Sequence, residues 1–206
     1  MVAQSHRQRV GIEEYFEFLR TQPEGRYEYI DGVISPIAAA GGIHEYLCSN
    51  LGRLLGNALL EGPWIAYGSN RQILVAESKC ICPDVVVSCD PGDLSPELVC
   101  HSPQLVIEVL SPSTERYDRH QKSEWYRRVA SIQEIVLADT QEQAIEILRR
   151  AQNGFWMYLY FGPGSVVEFE SLGLRIPIDD IYGKVRFASS VSNGSPPQAG
   201  SSSTPL

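Results

Sequence analysis

Two short runs of this sequence are almost entirely apolar, at residues 82–88 and 105–110, and they limit the fold more than any other feature. Apolar runs of this length are typical of strands that are buried on both faces. A helical pattern follows the second run, at residues 115–130, and a third apolar run comes at residues 132–139. This order of strand, helix and strand predicts a central mixed β-sheet flanked by helices, in an α/β or α+β domain.

The segments on either side add helices and short strands. Helical spacing of apolar residues predicts helices at residues 12–21 and 43–60. Asp31-Gly32 and Asn153-Gly154 are dipeptides typical of tight turns, and the first predicts an N-terminal β-hairpin. Further runs with strand-like composition are residues 64–76, 144–148, 155–161 and 165–169.

The predicted organisation is one domain followed by a tail. The chain has 206 residues, of which 43% are hydrophobic and 20% charged, a size and balance typical of a single domain. Residues 189–206 are almost all Ser, Pro, Gly and other small polar residues, with too little apolar surface to offset the entropy of ordering. We predict a domain over residues 1–188 and a disordered tail over residues 189–206.

The N-terminus and the cysteines predict a cytoplasmic protein. Residues 1–10 are polar and basic with no apolar segment behind them, and no run approaches the roughly 18 apolar residues of a membrane span. Five cysteines, an odd number, are expected to be reduced core thiols. A zinc site is a weaker alternative, because two of its ligands would be only one residue apart. Its ligands would come from Cys80, Cys82, Cys89, Cys100 and His101.

The net charge of −8 and the pI near 5.0 argue against a protein that coats nucleic acid through bulk electrostatics. Any contact with nucleic acid is therefore expected to be local. A basic cluster does exist, although charged runs on helices are usually solvated faces and are weak evidence alone. Its members are Arg116, Arg119, Lys122, Arg127 and Arg128, joined later by Arg149 and Arg150.

Asp84 and Glu108 each lie alone within an apolar run. A buried, ionised carboxylate costs several kcal/mol unless it is paired, hydrogen-bonded or bound to a metal. Two of them in neighbouring strands therefore suggest a common partner. A divalent cation such as Mg²⁺ or Mn²⁺ would be one, because these ions prefer hard oxygen ligands.

Lys122 falls on the same line of the predicted helix as Tyr126 and Val129, the side that should face the sheet. Its long side chain could reach the two carboxylates. A structural network of ion pairs explains the same spacing equally well, so the residues alone leave both interpretations open.

Several short motifs together resemble those of a known family. They are Pro83-Asp84, Glu108-Val109-Leu110-Ser111-Pro112-Ser113-Thr114, then Asp118, Lys122 and Tyr126, with Tyr27-Glu28-Tyr29-Ile30-Asp31-Gly32 and His44 before them. Their order and spacing resemble a widespread bacterial family of restriction-endonuclease-like proteins within the PD-(D/E)XK nuclease superfamily. The resemblance runs from about Tyr27 to Asp139 and more loosely to Ile181.

The resemblance implies a restriction-endonuclease-like core in which Asp84 and Glu108 bind a catalytic Mg²⁺ or Mn²⁺, with the carbonyl of Val109 as a further ligand. The superfamily usually has its lysine two residues after the glutamate, where this chain has Leu110. In this family the lysine lies on the following helix, and Lys122 is the residue that matches.

Glu28 and His44 are further candidates from the resemblance, as metal or water contacts or as groups that position the substrate. A satisfied core residue is the alternative for each of them. Glu45 is expected to point away from the site, and Tyr126 is expected to pack and hold the helix.

The leading functional hypothesis is a metal-dependent endonuclease that hydrolyses phosphodiester bonds in nucleic acid, with DNA as the expected substrate. A homodimer is expected by analogy only, because a two-fold axis matches the two strands of a duplex. The main alternative is a catalytically silent nuclease fold that serves as a binding or regulatory module. A structural interaction protein is a third, and it would need a large exposed apolar patch.

Overall fold

The computed structural model describes residues 9–22, 25–38, 41–94 and 98–187. The tail predicted at residues 189–206 lies outside these residues. The described part is a mixed arrangement of β-sheets and a few helices, which confirms the predicted fold class. Within it, no helix is both long and apolar enough to cross a membrane.

The strands and helices are as follows. The strands are β1 (Tyr27–Ile30), β2 (Val33–Pro36), β3 (Ile65–Tyr67), β4 (Gln72–Ala76), β5 (Lys79–Ile81), β6 (Val85–Ser88), β7 (Val99–Cys100), β8 (Leu105–Val109), β9 (Glu134–Ala138), β10 (Ile145–Arg150), β11 (Trp156–Phe161), β12 (Val166–Phe169) and β13 (Leu174–Pro177). The α-helices are α1 (Ile12–Thr21), α2 (Gly42–Ala58), α3 (Glu115–Tyr117), α4 (Ser123–Arg128) and α5 (Ile178–Ile181).

The central sheet has six strands in the order β11-β10-β9-β8-β6-β3. Strands β8 and β9 are parallel, as expected for strands joined by a helical crossover, whereas β6 pairs antiparallel with β8. The backbone N–H of Asp84 donates to the carbonyl of Ile107, 3.1 Å away. Asp84, just before β6, therefore lies beside the end of β8 that carries Glu108.

A second sheet has the order β2-β1-β5-β4-β7, and a two-stranded sheet pairs β12 with β13. Helix α1 packs against the second sheet through a small core of Tyr15, Leu19, Tyr29 and Cys80. Strand β1 of this sheet carries Glu28. Glu28 and Glu108 therefore belong to two different sheets.

The crossover between β8 and β9 contains an irregular turn. Between α3 and α4 the chain forms a π-helical turn, Asp118–Lys122, instead of the regular helix predicted for residues 115–130. The hydroxyl of Ser123 donates to the carbonyl of Asp118, 2.8 Å away. Such turns are rare and often occur at functional sites. Both Asp118 and Lys122 are buried here.

Both faces of the central sheet are covered, as the apolar runs predicted. On one face α2 packs Leu47, Leu51 and Leu55 against Val85 and Ile107. On the other face, the helical crossover packs Tyr126 into the second core cluster. Asp84 and Glu108 thus lie at the margin of an interior that is otherwise apolar.

The prediction of a single strand-like run at residues 64–76 is wrong. This segment divides into β3 and β4, which belong to different sheets. Three short strands, β5, β7 and β13, lie outside every predicted run. The hairpin of β1 and β2 is confirmed, and both Asp31 and Gly32 have positive φ, 49° and 88°. This is the backbone that type I′ turns require.

Candidate functional site

Four carboxylates from four elements meet at one end of the central sheet. Glu28 comes from β1, Asp84 precedes β6, Glu108 lies in β8 and Asp118 begins the π-helical turn. Each is at most 8% exposed. All four line a cleft of about 380 Å³. We call these four residues the acidic cluster.

Lys122 lies in the middle of the acidic cluster. Its Nζ is 3.1 Å from Glu108 Oε1, 3.0 Å from Glu28 Oε1 and 3.2 Å from Asp118 Oδ1. The prediction that Lys122 faces inward is confirmed, since only 6% of the residue is exposed. These carboxylates hold the pKa of Lys122 well above its usual value although burial alone would lower it.

Asp84 is held by three neighbours on its two oxygens. The backbone N–H of Val109 donates to Oδ2 at 2.9 Å, and His44 Nε2 lies 3.1 Å from the same oxygen. A guanidinium nitrogen of Arg26 lies 3.2 Å from Oδ1. Burial raises the pKa of Asp84, but the contacts with His44, Val109 and Arg26 outweigh it and lower the pKa below its usual value.

Glu108 has a different environment, although it lies beside Asp84. It is 2% exposed, and its Oε1 accepts a hydrogen bond from the hydroxyl of Tyr126. Burial, together with the charges of Asp118 and Asp84, raises the pKa of Glu108 to about 8 despite the nearby Lys122. Without a metal, these surroundings therefore favour the protonated form of Glu108.

The raised pKa of Glu108 reflects an excess of negative charge. Four carboxylates share two permanent cations, Lys122 and Arg26, which leaves a formal charge of −2 when every carboxylate is ionised and His44 is neutral. A proton on Glu108 removes part of this excess. A divalent cation would remove all of it.

Glu28 and His44, predicted mainly from the resemblance, are both in the site. The hydroxyl of Tyr117 donates to Glu28 Oε2 at 3.0 Å, while Lys122 approaches the other oxygen. Glu45 is exposed, as expected for a residue that points off the buried stripe of α2. Tyr126 is fully buried, as predicted, but it also donates to Glu108, which its predicted packing role did not include.

Among the described residues, one set of possible metal ligands has its ligand atoms within 4.8 Å of one another: His44, Cys48 and Asp84. Cys48 lies one turn after His44, and its sulfur is 3.5 Å from His44 Nδ1. Burial and then the charge of Asp84 raise the pKa of the Cys48 thiol, which opposes the thiolate form that binds metals. Carboxylate oxygen therefore remains the stronger donor at this site.

The alternative zinc site is wrong for the described residues, because its proposed ligands have separate partners. Cys82 donates to the carbonyl of Ser69, whereas Cys100 donates to Asp93. The sulfur of Cys80 contacts Gln72 Oε1 at 3.6 Å. No zinc-like group forms from these residues within the described chain.

Five of the seven members of the basic cluster are engaged by other groups, which weakens the suggestion of a local patch, and Arg116 and Arg127 are exposed. Arg119 pairs with Glu115 and Glu146, and Arg128 pairs with Glu124. Lys122 is inside the acidic cluster. Arg149 and Arg150 are also engaged, the first with Glu134 and Glu170 and the second with backbone carbonyls and the ring of Trp156.

Arg26 lines the site but was not singled out from the sequence, and Asp118 was named there only among the motifs of the resemblance, without a role. Arg26 is two residues before Glu28, and residues with this spacing in an extended segment face the same side. Asp118 is four residues before Lys122, on the same side of a helix. Each spacing could have indicated a residue that faces the site. Neither residue interrupts an apolar run, which is the feature that made Asp84 and Glu108 conspicuous.

Comparisons with known proteins find a family and individual proteins that are similar to this chain. The sequence model of the Uma2 family, described as "Putative restriction endonuclease", matches residues 12–179. Two uncharacterized proteins of Synechocystis sp. (strain ATCC 27184 / PCC 6803 / Kazusa) are similar. One is 32% identical over 176 residues, which cover 85% of this chain and 92% of that protein. The other is 29% identical over 159 residues, with 74% and 90% covered.

A solved structure is similar in fold. It is titled as a putative nuclease belonging to DUF820, from Anabaena variabilis ATCC 29413. The TM-score is 0.66 at 20% identity, and the match covers 84% of this chain and 97% of that one. At this level of identity the likeness establishes the fold.

Proposed function

This chain belongs to the Uma2 family of restriction-endonuclease-like proteins, and we propose that it is a metal-dependent endonuclease that hydrolyses phosphodiester bonds in DNA. The observation that carries the proposal is the convergence of Asp84, Glu108 and Lys122 on one cleft. Side chains that are far apart in sequence and costly to bury meet where a substrate could reach them.

The residues of the site fit a hard divalent cation. Asp84 and Glu108 offer carboxylate oxygens, and the carbonyl of Val109 is the proposed third ligand from the protein. The charge excess of the acidic cluster and the raised pKa of Glu108 both favour the arrival of positive charge. Mg²⁺ and Mn²⁺ are the ions that such oxygen ligands suit. When bound, the ion would lower the pKa of a water and neutralise charge on the phosphoryl oxygens.

The remaining residues have roles that follow from their contacts. The ammonium of Lys122 is held by three carboxylates, so it is fixed in position and can stabilise negative charge that develops on the phosphate or orient the attacking water. Tyr126 fixes one oxygen of Glu108, and the N–H of Val109 fixes one oxygen of Asp84. Glu28 and His44 position Lys122 and Asp84 respectively.

A silent nuclease fold is the second candidate, and one observation favours it. Lys122, Arg26 and His44 already contact the carboxylates that a metal would need. A cluster satisfied in this way could persist as structure after activity was lost. The intact combination of Asp84, Glu108 and Lys122 favours the enzyme.

The test is a cleavage assay on supercoiled plasmid DNA with Mg²⁺ or Mn²⁺, with the variant Asp84→Asn as the matched control. The proposal expects nicked or linear products from the wild type and at most traces from the variant. RNA and single-stranded DNA in parallel reactions would define the substrate class, and a sedimentation measurement would test the proposed homodimer. If no nucleic acid is cut and the variant binds these nucleic acids as the wild type does, the binding module is the better account.

A further inference from the structure

Arg26 occupies an unusual position for a cation in a site that we propose binds a metal. Its guanidinium lies 3.2 Å from Asp84 Oδ1, the carboxylate expected to hold the ion. A positive charge there competes with the metal and weakens its binding. A residue with this cost should have a compensating role.

The anchoring of Arg26 does not depend on Asp84. Its Nε donates to the carbonyl of Ser69 at 2.9 Å, so the side chain is held at its base by backbone. The nitrogen near Asp84 can leave that carboxylate without loss of the anchor. About a quarter of the side chain, 26%, is exposed, whereas Asp84 is nearly buried.

Arg26 also lies where two clefts adjoin. The first is the cleft of the acidic cluster, and the second has a volume of about 530 Å³ and includes Tyr27 and Cys48 in its lining. Arg26, His44 and Asp84 line both. A chain of nucleotides with its scissile phosphate beside Asp84 would therefore pass Arg26 as it continues into the second cleft.

From these contacts we infer that Arg26 is a phosphate-binding residue of the site: its guanidinium moves from Asp84 to a non-bridging oxygen of the substrate backbone when substrate and metal bind. An arginine suits this task, because its planar fork can donate to two acceptors at once. The inference rests on the proposed function and adds a residue that binds the phosphate backbone of the substrate.

The test is the salt dependence of nucleic acid binding, which requires no cleavage. A fluorescent duplex oligodeoxynucleotide is titrated in Ca²⁺, which takes oxygen ligands as Mg²⁺ does. Each phosphate contact contributes about 0.9 to the slope of log affinity against log salt for duplex DNA. Arg26→Met should lower the slope by about that amount. Arg175→Met, which removes an exposed arginine of β13, is the matched control and should leave the slope unchanged.

Arg26→Lys provides a folded comparison if Arg26→Met is unstable. It keeps the charge and loses the fork, so binding should weaken several-fold with little change in slope. If Arg26→Met and Arg26→Lys both bind like Arg175→Met, the inference is overturned while the nuclease proposal stands. If wild type neither binds nor cuts any nucleic acid, the inference and the nuclease proposal both fail.

Discussion

Two carboxylates on adjacent strands of the central sheet, Glu108 and Glu134, are equally buried but very differently satisfied. Glu134 begins β9 and is fully buried. Its Oε1 accepts hydrogen bonds from Arg149 Nε at 2.8 Å and the N–H of Glu170 at 3.2 Å. Its Oε2 accepts from both the N–H and the hydroxyl of Ser171.

Glu108 shares its surroundings with three other carboxylates, and its contacts with Tyr126 and Lys122 both fall on the same oxygen, Oε1. Burial and those charges raise its pKa to about 8. The difference teaches that burial of a charge does not by itself indicate function. A carboxylate whose needs are met within the fold supports structure, whereas a carboxylate left with unmet negative charge is prepared for a ligand.

The largest effect on stability is expected at Glu134. Glu134→Ala leaves Arg149 and the backbone around Ser171 without their acceptor in a buried place. Breaking one buried pair costs about 3 to 5 kcal/mol, which lowers the melting temperature of a chain of this size by roughly 6 to 20 °C. Calorimetry measures this change, with the exposed Glu168→Ala as control.

The same comparison predicts that the folded fraction of Glu134→Ala cleaves DNA as the wild type does. A loss of cleavage by correctly folded protein would show that Glu134 is part of the catalytic machinery, and the proposed distinction between the two carboxylates would then fail.

Substitution of Lys122 should give the opposite result, a large effect on the rate of cleavage. Lys122→Met keeps most of the aliphatic stem and removes the charge between Glu28, Glu108 and Asp118. Cleavage should fall by roughly 10²-fold or more, the scale seen when one electrostatic stabiliser of a transition state is lost. Rates are measured at saturating metal, so that weakened metal binding does not enter. If only stability falls and the rate of the folded fraction persists, Lys122 is a structural ion pair.

The contrast also shows how much could be read from the sequence. The apolar runs predicted the buried strands, and the single carboxylates in them, Asp84 and Glu108, pointed to the cleft of the acidic cluster. The pairing of strands that are distant in sequence was harder to predict. Tyr29 pairs with Cys80 in the second sheet, but periodicity within a strand does not specify which strand it pairs with. The split at residues 64–76 was missed for the same reason.

The π-helical turn could not be predicted, since it differs from an α-helix by a shift of one residue in hydrogen bonding. Arg26 was missed because an arginine beside a strand is normally solvated. Its significance depends on Ser69 and Asp84, which are distant in sequence and meet it only in the fold.

Metal and pH should act together on Glu108. Its pKa is raised from 4.5 to about 8 on folding, so its contribution to stability is present below pH 4.5 and is lost as the pH rises toward 8. Asp118, whose pKa is also raised by burial, acts in the same direction. The metal competes with the proton, so Mg²⁺ or Mn²⁺ should raise the melting temperature more at pH 8 than at pH 6.

At a hundredfold excess over the dissociation constant, the metal should stabilise the fold by about 2.7 kcal/mol. Thermal melts across this pH range measure the stabilisation by metal. Glu108→Gln should remove most of the pH dependence of this stabilisation. If added metal changes the melting temperature of neither the wild type nor Asp84→Asn at any pH, the proposed metal site should be abandoned.

The smallest effect on stability is expected at Arg128. Its ion pair with Glu124 is exposed, whereas the ion pair of Glu134 with Arg149 is buried. Arg128 and Glu124 are both more than half exposed and lie four residues apart on α4. Water screens such a pair, and the two long side chains lose entropy when they meet. Arg128→Ala should therefore cost at most about 0.5 kcal/mol, since alanine also favours the helix. Calorimetry beside Glu134→Ala tests this. A loss comparable to that of Glu134→Ala would mean that the number of ion pairs, and not how completely each is buried and satisfied, determines the stability of this fold.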